Sequence, residues 1–232
     1  RLRRAASERA AYVGPWLPEP LPADVLPPDH TLERNADLSY SFVALLERLG
    51  PEERAAFLLR ELFDVPYADL AALLGKSEPM CRQMVHRAHE RVRHGRPRRV
   101  VPPEVQHRFL DRFLAALHRD DPDALLSLFA ETVTFTSDGG NKVHAARKVL
   151  EGPARIARFL LTVHRKFGAA YRSTVEPING HPAVVSYWLD GSVHGVTAVT
   201  LDGDRITAIY RILNPDKLRN LPPRPTLAHT AS

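Results

Sequence analysis

Side chains that could bind a nucleic acid recur along one stretch of the sequence, between residues 76 and 93. Guanidinium and amide groups can donate paired hydrogen bonds to base edges, whereas ammonium, hydroxyl and free backbone N–H groups suit phosphates. We expect base reading from Arg82, Gln83, His86 and Arg87. We expect phosphate contacts from Lys76, Ser77, Arg91 and Arg93. The helical period brings the base-reading residues to one side of a helix.

The elements that would position these side chains are two helices joined by a tight turn. The first has an apolar face made of Tyr67, Leu70, Ala71 and Leu74. It stops at Gly75, which takes a left-handed conformation at little cost, and Ser77 is a natural N-cap for the next helix. The second helix has a buried stripe made of Cys81, Val85, Ala88 and Val92. This pattern predicts a helix-turn-helix, and an ordinary helical hairpin whose charges only face water is the alternative.

The positive charge of the chain is concentrated in this stretch. Lys and Arg number 32 against 27 Asp and Glu, which gives +5. Residues 76–99 alone carry eight basic side chains opposed by Glu78 and Glu90, a net of +6, so the rest sums to about −1. A local excess of this kind is typical of a protein that binds a polyanion.

The composition gives little support for a disulfide, a metal site or a cofactor site. The single cysteine, Cys81, excludes an intramolecular disulfide and a cysteine-rich metal site. His86, His89 and His94 do not share one helical face, so we expect no metal and no cofactor. The sequence contains no leader peptide and no long apolar run, which predicts a cytoplasmic protein. Because it opens on Arg1 rather than methionine, we expect a fragment of a longer chain.

The spacing of apolar residues predicts two domains of different class. Residues 37–95 are helical throughout and suffice for a four-helix unit. From residue 101 to 218, helices are followed by β-type runs at 132–136, 183–189, 193–201 and 205–213, with a helix at about 153–167. Gly191 and the pair Asp202–Gly203 mark turns between the last runs. We therefore predict an α+β cone with a curved antiparallel sheet behind an all-α domain.

Proline-rich segments flank these domains. Residues 1–36 carry six prolines between positions 15 and 28 and predict a linker, as does 94–99. Trp16 and Leu17 suggest that the first linker docks against another part of the protein, although a semi-rigid spacer is the alternative. Residues 219–232 are predicted to be a disordered tail.

The motifs together resemble a known family. GPWLPEPL at 14–21 and the segment 61–93 resemble the C-terminal half of an extracytoplasmic-function (ECF) RNA polymerase sigma factor, in particular the group with a SnoaL-like C-terminal extension. NPDKL at 214–218 follows the last predicted strand, and TSDGGNK at 136–142 is similar to a DGGGK motif of that group. Asn141 stands where that motif has a third glycine, and asparagine tolerates a positive φ better than most residues.

The resemblance implies a sigma region-four domain that binds the upstream (−35) promoter element and core RNA polymerase. It also implies that a sigma region-two domain is missing from this chain. The SnoaL-like extension of this group is expected to act as a built-in regulator that contacts the sigma domains, including region two. The expected regulatory residues are Trp16, Leu17, Pro18, Glu19, Pro20, Asp138, Gly139, Gly140, Lys142, Asn214, Pro215, Asp216, Lys217 and Leu218.

Two other functions remain open on the sequence. The cone could be a small-molecule-binding domain, or an isomerase-type enzyme with a helical appendage, which needs a desolvated carboxylate facing a hydrogen-bond donor. The candidates are Asp138, His144, His164, Tyr187, Asp190, His194 and Tyr210. No spacing among them singles out a base and its partner, so we assign no catalytic residue. The basic helix could alternatively bind a protein rather than DNA.

Overall fold

The computed structural model describes residues 12, 14–22, 40–95 and 101–224, without the side chains of 41 and 93–95. These residues form two compact units: residues 40–95, and residues 101–224 together with the segment 12–22. Most of the proline-rich linker, most of the second linker and residues 225–232 of the predicted tail lie outside the described residues.

The first unit is a bundle of four helices in the part of the chain described. They are α1 (Tyr40–Leu46), α2 (Pro51–Glu61), α3 (Tyr67–Leu74) and α4 (Glu78–Gly95). Gly75 ends α3 in the left-handed region at φ 63°, and its N–H donates to the Ala71 carbonyl. The stripe predicted for α4 is buried, and Met84 joins it. The predicted helix-turn-helix is therefore α3, the turn at Gly75, and α4.

The second unit is an α+β cone. Its elements are α5 (Pro103–His118), α6 (Pro122–Leu128), β1 (Phe129–Asp138), β2 (Leu150–Glu151), α7 (Pro153–Phe167), β3 (Tyr171–Ile178), β4 (His181–Trp188), β5 (Val193–Asp202), β6 (Arg205–Ile212) and α8 (Pro215–Leu218). The six-stranded sheet has the order β2-β1-β6-β5-β4-β3. All neighbours are antiparallel except β1 and β6, which run parallel. The antiparallel prediction thus holds for the meander β3 to β6 but misses this one pairing.

Side chains from the two faces of the sheet serve different purposes. Phe135 of β1 and Ile209 of β6 lie in the apolar core with residues of α5 and α7. Because side chains alternate along a strand, Ser137 and Arg211 share this inner, helix-facing side, whereas Asp138 and Ile212 face outward. We call these two sides the inner and the outer face.

Two strands and part of the tail were not anticipated. Strand β3 is polar, contains Pro177 and lies at the edge of the sheet, where a missing backbone donor is tolerated. Strand β2 is only two residues long. Residues 219–224, predicted as the start of a disordered tail, pack on the cone: Leu221 is buried and Arg224 forms an ion pair with Glu176.

Candidate nucleic-acid interface and linker-binding site

The outward face of α4 presents the residues predicted to read bases. Arg82, Gln83, His86 and Arg87 are all exposed, opposite the buried stripe. Arg82 lies over the Tyr67 ring, with its guanidinium carbon 4.3 Å from the ring centre, and forms an ion pair with Glu78. These contacts hold Arg82 at the start of α4, beside the turn.

The predicted phosphate-binding residues surround that face. Ser77 and Arg91 are exposed, and Lys76 is half-buried. The side chain of Arg93 lies outside the described residues, although its backbone belongs to α4. Ser77 stands one residue before α4, where free N–H groups and the helix dipole favour an anion.

Two glutamates of α2 pair with this basic surface, which the sequence analysis did not anticipate. Glu52 lies 3.1 Å from the Lys76 ammonium. Glu53 lies 2.5 Å from an Arg91 nitrogen and 3.9 Å from Arg87. The glutamates stand at the first turn of α2, Lys76 lies in the turn before α4, and Arg87 and Arg91 belong to α4. Three residues predicted to contact DNA, Lys76, Arg87 and Arg91, are therefore paired with carboxylates in this structure.

The proline-rich segment packs on the second unit. Leu17, Pro18 and Pro20 are buried, whereas Trp16 and Glu19 are exposed. The Leu17 N–H donates to Asp138 Oδ2 at 2.9 Å. Further along the segment, the Leu21 N–H donates to the Asn179 side chain and the Asn179 N–H donates to the Leu21 carbonyl. The loop between β3 and β4 therefore also holds the segment.

Asp138 and Lys217 form a buried ion pair at the centre of this contact. Lys217 Nζ lies 2.7 Å from Asp138 Oδ2 and also donates to the Leu17 carbonyl. The other Asp138 oxygen accepts from the Tyr12 hydroxyl and from the Gly140 N–H. Burial and the adjacent Asp138 carboxylate raise the pKa of Tyr12, so its hydroxyl keeps its proton and donates. We call this arrangement the Asp138–Lys217 site.

The glycine-rich turn after β1 closes the site from another side. Gly140 and Asn141 both take left-handed conformations, with φ of 61° and 59°. Asparagine therefore fulfils the backbone requirement at the position where the resembling motif has glycine. A Cβ at Gly140 would lie 2.3 Å from the Asn214 side chain, so this glycine is required by close packing as well.

The motif NPDKL supplies the third side. Asn214 caps the short helix α8 by accepting from the Asp216 N–H, and its amide donates to the Tyr12 hydroxyl. Asp216 pairs with Lys142 and Arg219, and these hydrogen bonds lower its pKa. Pro215 opens α8 and Leu218 is buried. Segments far apart in the sequence thus meet at one buried carboxylate.

The candidates for cone chemistry do not form a catalytic pair. Asp138 faces outward and accepts hydrogen bonds from four donors, so it is not available as a base. His144 and Asp190 are exposed, and Tyr210 is half-buried on the outer face with Asp138. Tyr187 donates to Glu176 at 2.8 Å, and burial raises its pKa to about 12.

The remaining candidates, His164 and His194, both pack against the ring of Tyr171. Burial, together with nearby His118, lowers the pKa of His164. Burial and Arg211 lower the pKa of His194 to about 4, so its imidazole is neutral at pH 7. Among the described residues, no group of three or more His, Cys, Asp or Glu side chains is arranged to hold a metal ion.

A helix-turn-helix unit with an exposed basic face, followed by an α+β cone, is the organisation expected of a two-domain DNA-binding protein. Residues 40–92 match the family Sigma-70, region 4, and residues 110–219 match the SnoaL-like domain. Promoter recognition in transcription initiation is the role of the region-four domain, to which the SnoaL-like domain is fused.

Comparison with individual relatives identifies the family more narrowly. The chain is 32% identical over 235 residues to ECF RNA polymerase sigma factor SigJ of Mycobacterium tuberculosis, covering 96% of this chain and 75% of that protein. It is 29% identical over 212 residues to the probable sigma factor SigI of that species, covering 91% and 70%. The crystal structure of SigJ superposes with a TM-score of 0.72 at 30% identity, over 92% of this chain and 78% of that one. The chain belongs to the ECF RNA polymerase sigma factor family.

These relatives are sigma factors, which are not enzymes, and the comparisons give no evidence of catalysis. Within the described residues, none of the helices is long and apolar enough to cross a membrane.

Proposed function

We propose that the helical unit binds the −35 element of a promoter as a sigma region-four domain and contacts core RNA polymerase. The observation that carries this proposal is the exposed face of α4, where Arg82, Gln83, His86 and Arg87 stand opposite a buried stripe. A helix presented in this way fits the major groove, which displays a distinct donor and acceptor pattern for each base pair.

The ion pairs with Glu52 and Glu53 support an exchange of partners on binding. In the free protein these carboxylates hold Lys76, Arg87 and Arg91. Phosphates would replace them in the complex, and the glutamates would return to water. Each pair has one exposed and one half-buried partner, so solvent screens the attraction and the exchange costs little.

The test is binding of the chain to a duplex selected from a random library, followed by fluorescence anisotropy at several salt concentrations. Several phosphate contacts predict a steep loss of affinity as salt rises. A scrambled duplex of equal length is the control and should bind more weakly at every salt concentration. Binding that ignores both salt and sequence would favour the alternative, a basic helix that contacts protein.

We also propose that the cone modulates the sigma activity through the Asp138–Lys217 site. The supporting observation is that the linker segment 14–22 is held there through its backbone as well as its side chains. Gly139, another expected regulatory residue, belongs to the turn that closes this site, and a Cβ there would lie 2.5 Å from the Val143 carbonyl. A contact with a sigma region-two domain, implied by the resemblance, stays a prediction.

Leu17→Ser tests this modulation because it removes the buried side chain that anchors the linker. We expect DNA affinity to change at least threefold relative to wild type. Val149→Ser, which alters an exposed residue of the same unit, is the matched control. Identical affinities for wild type and Leu17→Ser would contradict the proposal.

A small ligand inside the cone is a second candidate function. The observation that favours it is a polar and aromatic cluster in which His194 lies between the rings of Tyr171 and Trp188 and close to the guanidinium of Arg211. A concave, partly apolar site with few polar groups is typical of small-molecule binding.

A further inference from the structure

Arg211 is a positive charge held inside the cone without a negative partner. It lies on the inner face of β6, two residues beyond the core residue Ile209. One guanidinium nitrogen donates to Thr197 Oγ1 at 2.6 Å and to Ser186 Oγ at 3.2 Å. Both acceptors are neutral hydroxyls, and no carboxylate contacts Arg211 among the described residues.

This arrangement is costly unless something else compensates the charge. A buried cation loses its hydration, and hydroxyl groups return only part of that free energy. Burial accordingly lowers the pKa of the Arg211 guanidinium. Its remaining N–H groups have no protein acceptor in the part of the chain described, and the residue keeps partial contact with solvent. These N–H groups are the ones that a bound anion would engage.

Flat rings line the approach to this guanidinium. His194 stacks on Tyr171, with ring centres 4.9 Å apart at 29°, and its centre lies 4.1 Å from that of Trp188. Trp188 is 40% exposed and the neighbouring Leu189 is 52% exposed, so the rim of the cluster is apolar and open. The imidazole of His194 is neutral at pH 7, so it lines the approach to Arg211 without adding a second positive charge.

Two backbone features shape the cluster. Ser186 of β4 pairs with Gly195 of β5, but the next residue, Tyr187, pairs with Val193, so one residue of β5 is skipped. His194 is the extra residue of this β-bulge, and bulges re-aim side chains next to binding sites. A Cβ at Gly195 would lie 3.4 Å from the Arg211 guanidinium carbon, so glycine leaves that side of the cation uncrowded.

From this geometry we propose that the inner end of the cone binds a flat organic monocarboxylate. Its carboxylate would accept from Arg211, and its unsaturated body would lie against Tyr171, His194 and Trp188. A single guanidinium matches one carboxylate in a two-pronged geometry, and flat rings favour a flat ligand. The proposal rests on the cone as a ligand-binding domain and is independent of DNA recognition.

The first experiment needs no variant. Benzoate and benzamide have the same shape and differ in charge, so each is titrated into the whole chain while the arginine side-chain N–H signals are followed by NMR. We expect saturable binding of benzoate that shifts one arginine signal, and at least tenfold weaker binding of benzamide. Equal binding of the two probes, or binding of neither, would overturn the proposal.

The second experiment assigns the site. Arg211→Gln should lose the shifting signal and weaken benzoate binding at least tenfold. Arg172→Gln on strand β3, at the edge of the same sheet, removes an equal charge from an exposed residue and should bind as wild type does. If Arg211→Gln binds benzoate normally, the site is elsewhere and the assignment is wrong. If Arg211→Gln fails to fold, the comparison of benzoate with benzamide on the wild-type chain still tests whether the site requires a carboxylate.

Anisotropy with the selected duplex on the same samples separates this proposal from the proposed function. If the chain binds the duplex but not benzoate, only the proposed ligand site is contradicted. If the chain binds benzoate but not the duplex, only the proposed promoter recognition is contradicted.

Discussion

The ammonium of Lys217 lies 3.3 Å from the centre of the Trp16 ring. Lys217 belongs to the motif after the last strand, and Trp16 to the proline-rich segment near the start of the sequence. A cation over an indole face is a favourable contact, and here Asp138 and the Leu17 carbonyl complete its coordination. The linker is thus held by a charged group that is itself buried and paired.

Replacement of Lys217 by methionine should destabilise the cone strongly. The Asp138 carboxylate would remain buried with its charge uncompensated, and breaking a buried ion pair from one side costs about 3–5 kcal/mol. Urea unfolding measures the loss. Lys142→Met breaks the exposed pair with Asp216 and is the control, expected to cost about 0–1 kcal/mol. Equal losses for the two variants would mean that the buried pair contributes no more than a surface pair.

Arg82→Ala should weaken binding to the cognate duplex by about 1–3 kcal/mol, as expected for the loss of a base contact. The loss should be much smaller on a scrambled duplex. Arg108→Ala, at an exposed position on α5, is the control for removal of one positive charge. Unchanged cognate affinity by anisotropy would show that the proposed docking face is wrong.

Arg91→Ala should weaken binding to all sequences alike. Arg91 is expected to contact phosphate, so its removal should also reduce the salt slope by about one ion. Affinities on cognate and scrambled duplexes at several salt concentrations measure both effects. A change in the ratio of the two affinities would instead make Arg91 a base-reading residue.

Glu53→Gln should raise the affinity for DNA. The glutamate competes with phosphates for Arg87 and Arg91. Glu53 is half-buried but both arginines are exposed, and a solvent-screened pair is worth about 0.2–1 kcal/mol, which corresponds to a rise of about 1.5- to 5-fold. Glu61→Gln is the matched control, because Glu61 lies on the same helix and pairs with His89 instead. A similar rise in both variants would reflect overall charge only.

His194 should make the cone less stable in acid. Its pKa in the folded state is about 4, below that of an unfolded histidine, so the unfolded chain binds more protons between about pH 6.5 and 4. The free energy of unfolding should therefore fall as pH drops through that window. Urea unfolding of wild type and His194→Gln at pH 7 and at pH 4.5 measures this. A constant difference between the two proteins would contradict it.

The helical unit could be predicted from local signals. The turn at Gly75 and the buried stripe of α4 both depend on residues close in sequence, where propensity and periodicity act together. The exposed face of α4 followed directly from that stripe. The carboxylates of Glu52 and Glu53 escaped prediction because they reach this face from another helix.

The cone could be predicted only in outline. The edge strand β3 lacks a strong apolar alternation, so its sequence gives a weak signal. The burial of Lys217 depends on three segments meeting, which no local pattern encodes. Arg211 did leave a signal: in the run 205–213 it stands two residues after Ile209, which places a charge on the core side of the strand.

The proposed ligand site and the linker contact share a wall one strand thick. Ser137 pairs with Arg211 on the inner face, and their neighbours Asp138 and Ile212 face the linker. The Asp138 carbonyl also accepts from the N–H groups of Leu213 and Asn214, which ties the ends of β1 and β6 together. We therefore expect a ligand bound at Arg211 to shift the backbone at this end of the sheet and, with it, the Asp138 carboxylate on the outer face. Ligand binding on the inner face would in that case loosen or tighten the linker contact at the Asp138–Lys217 site.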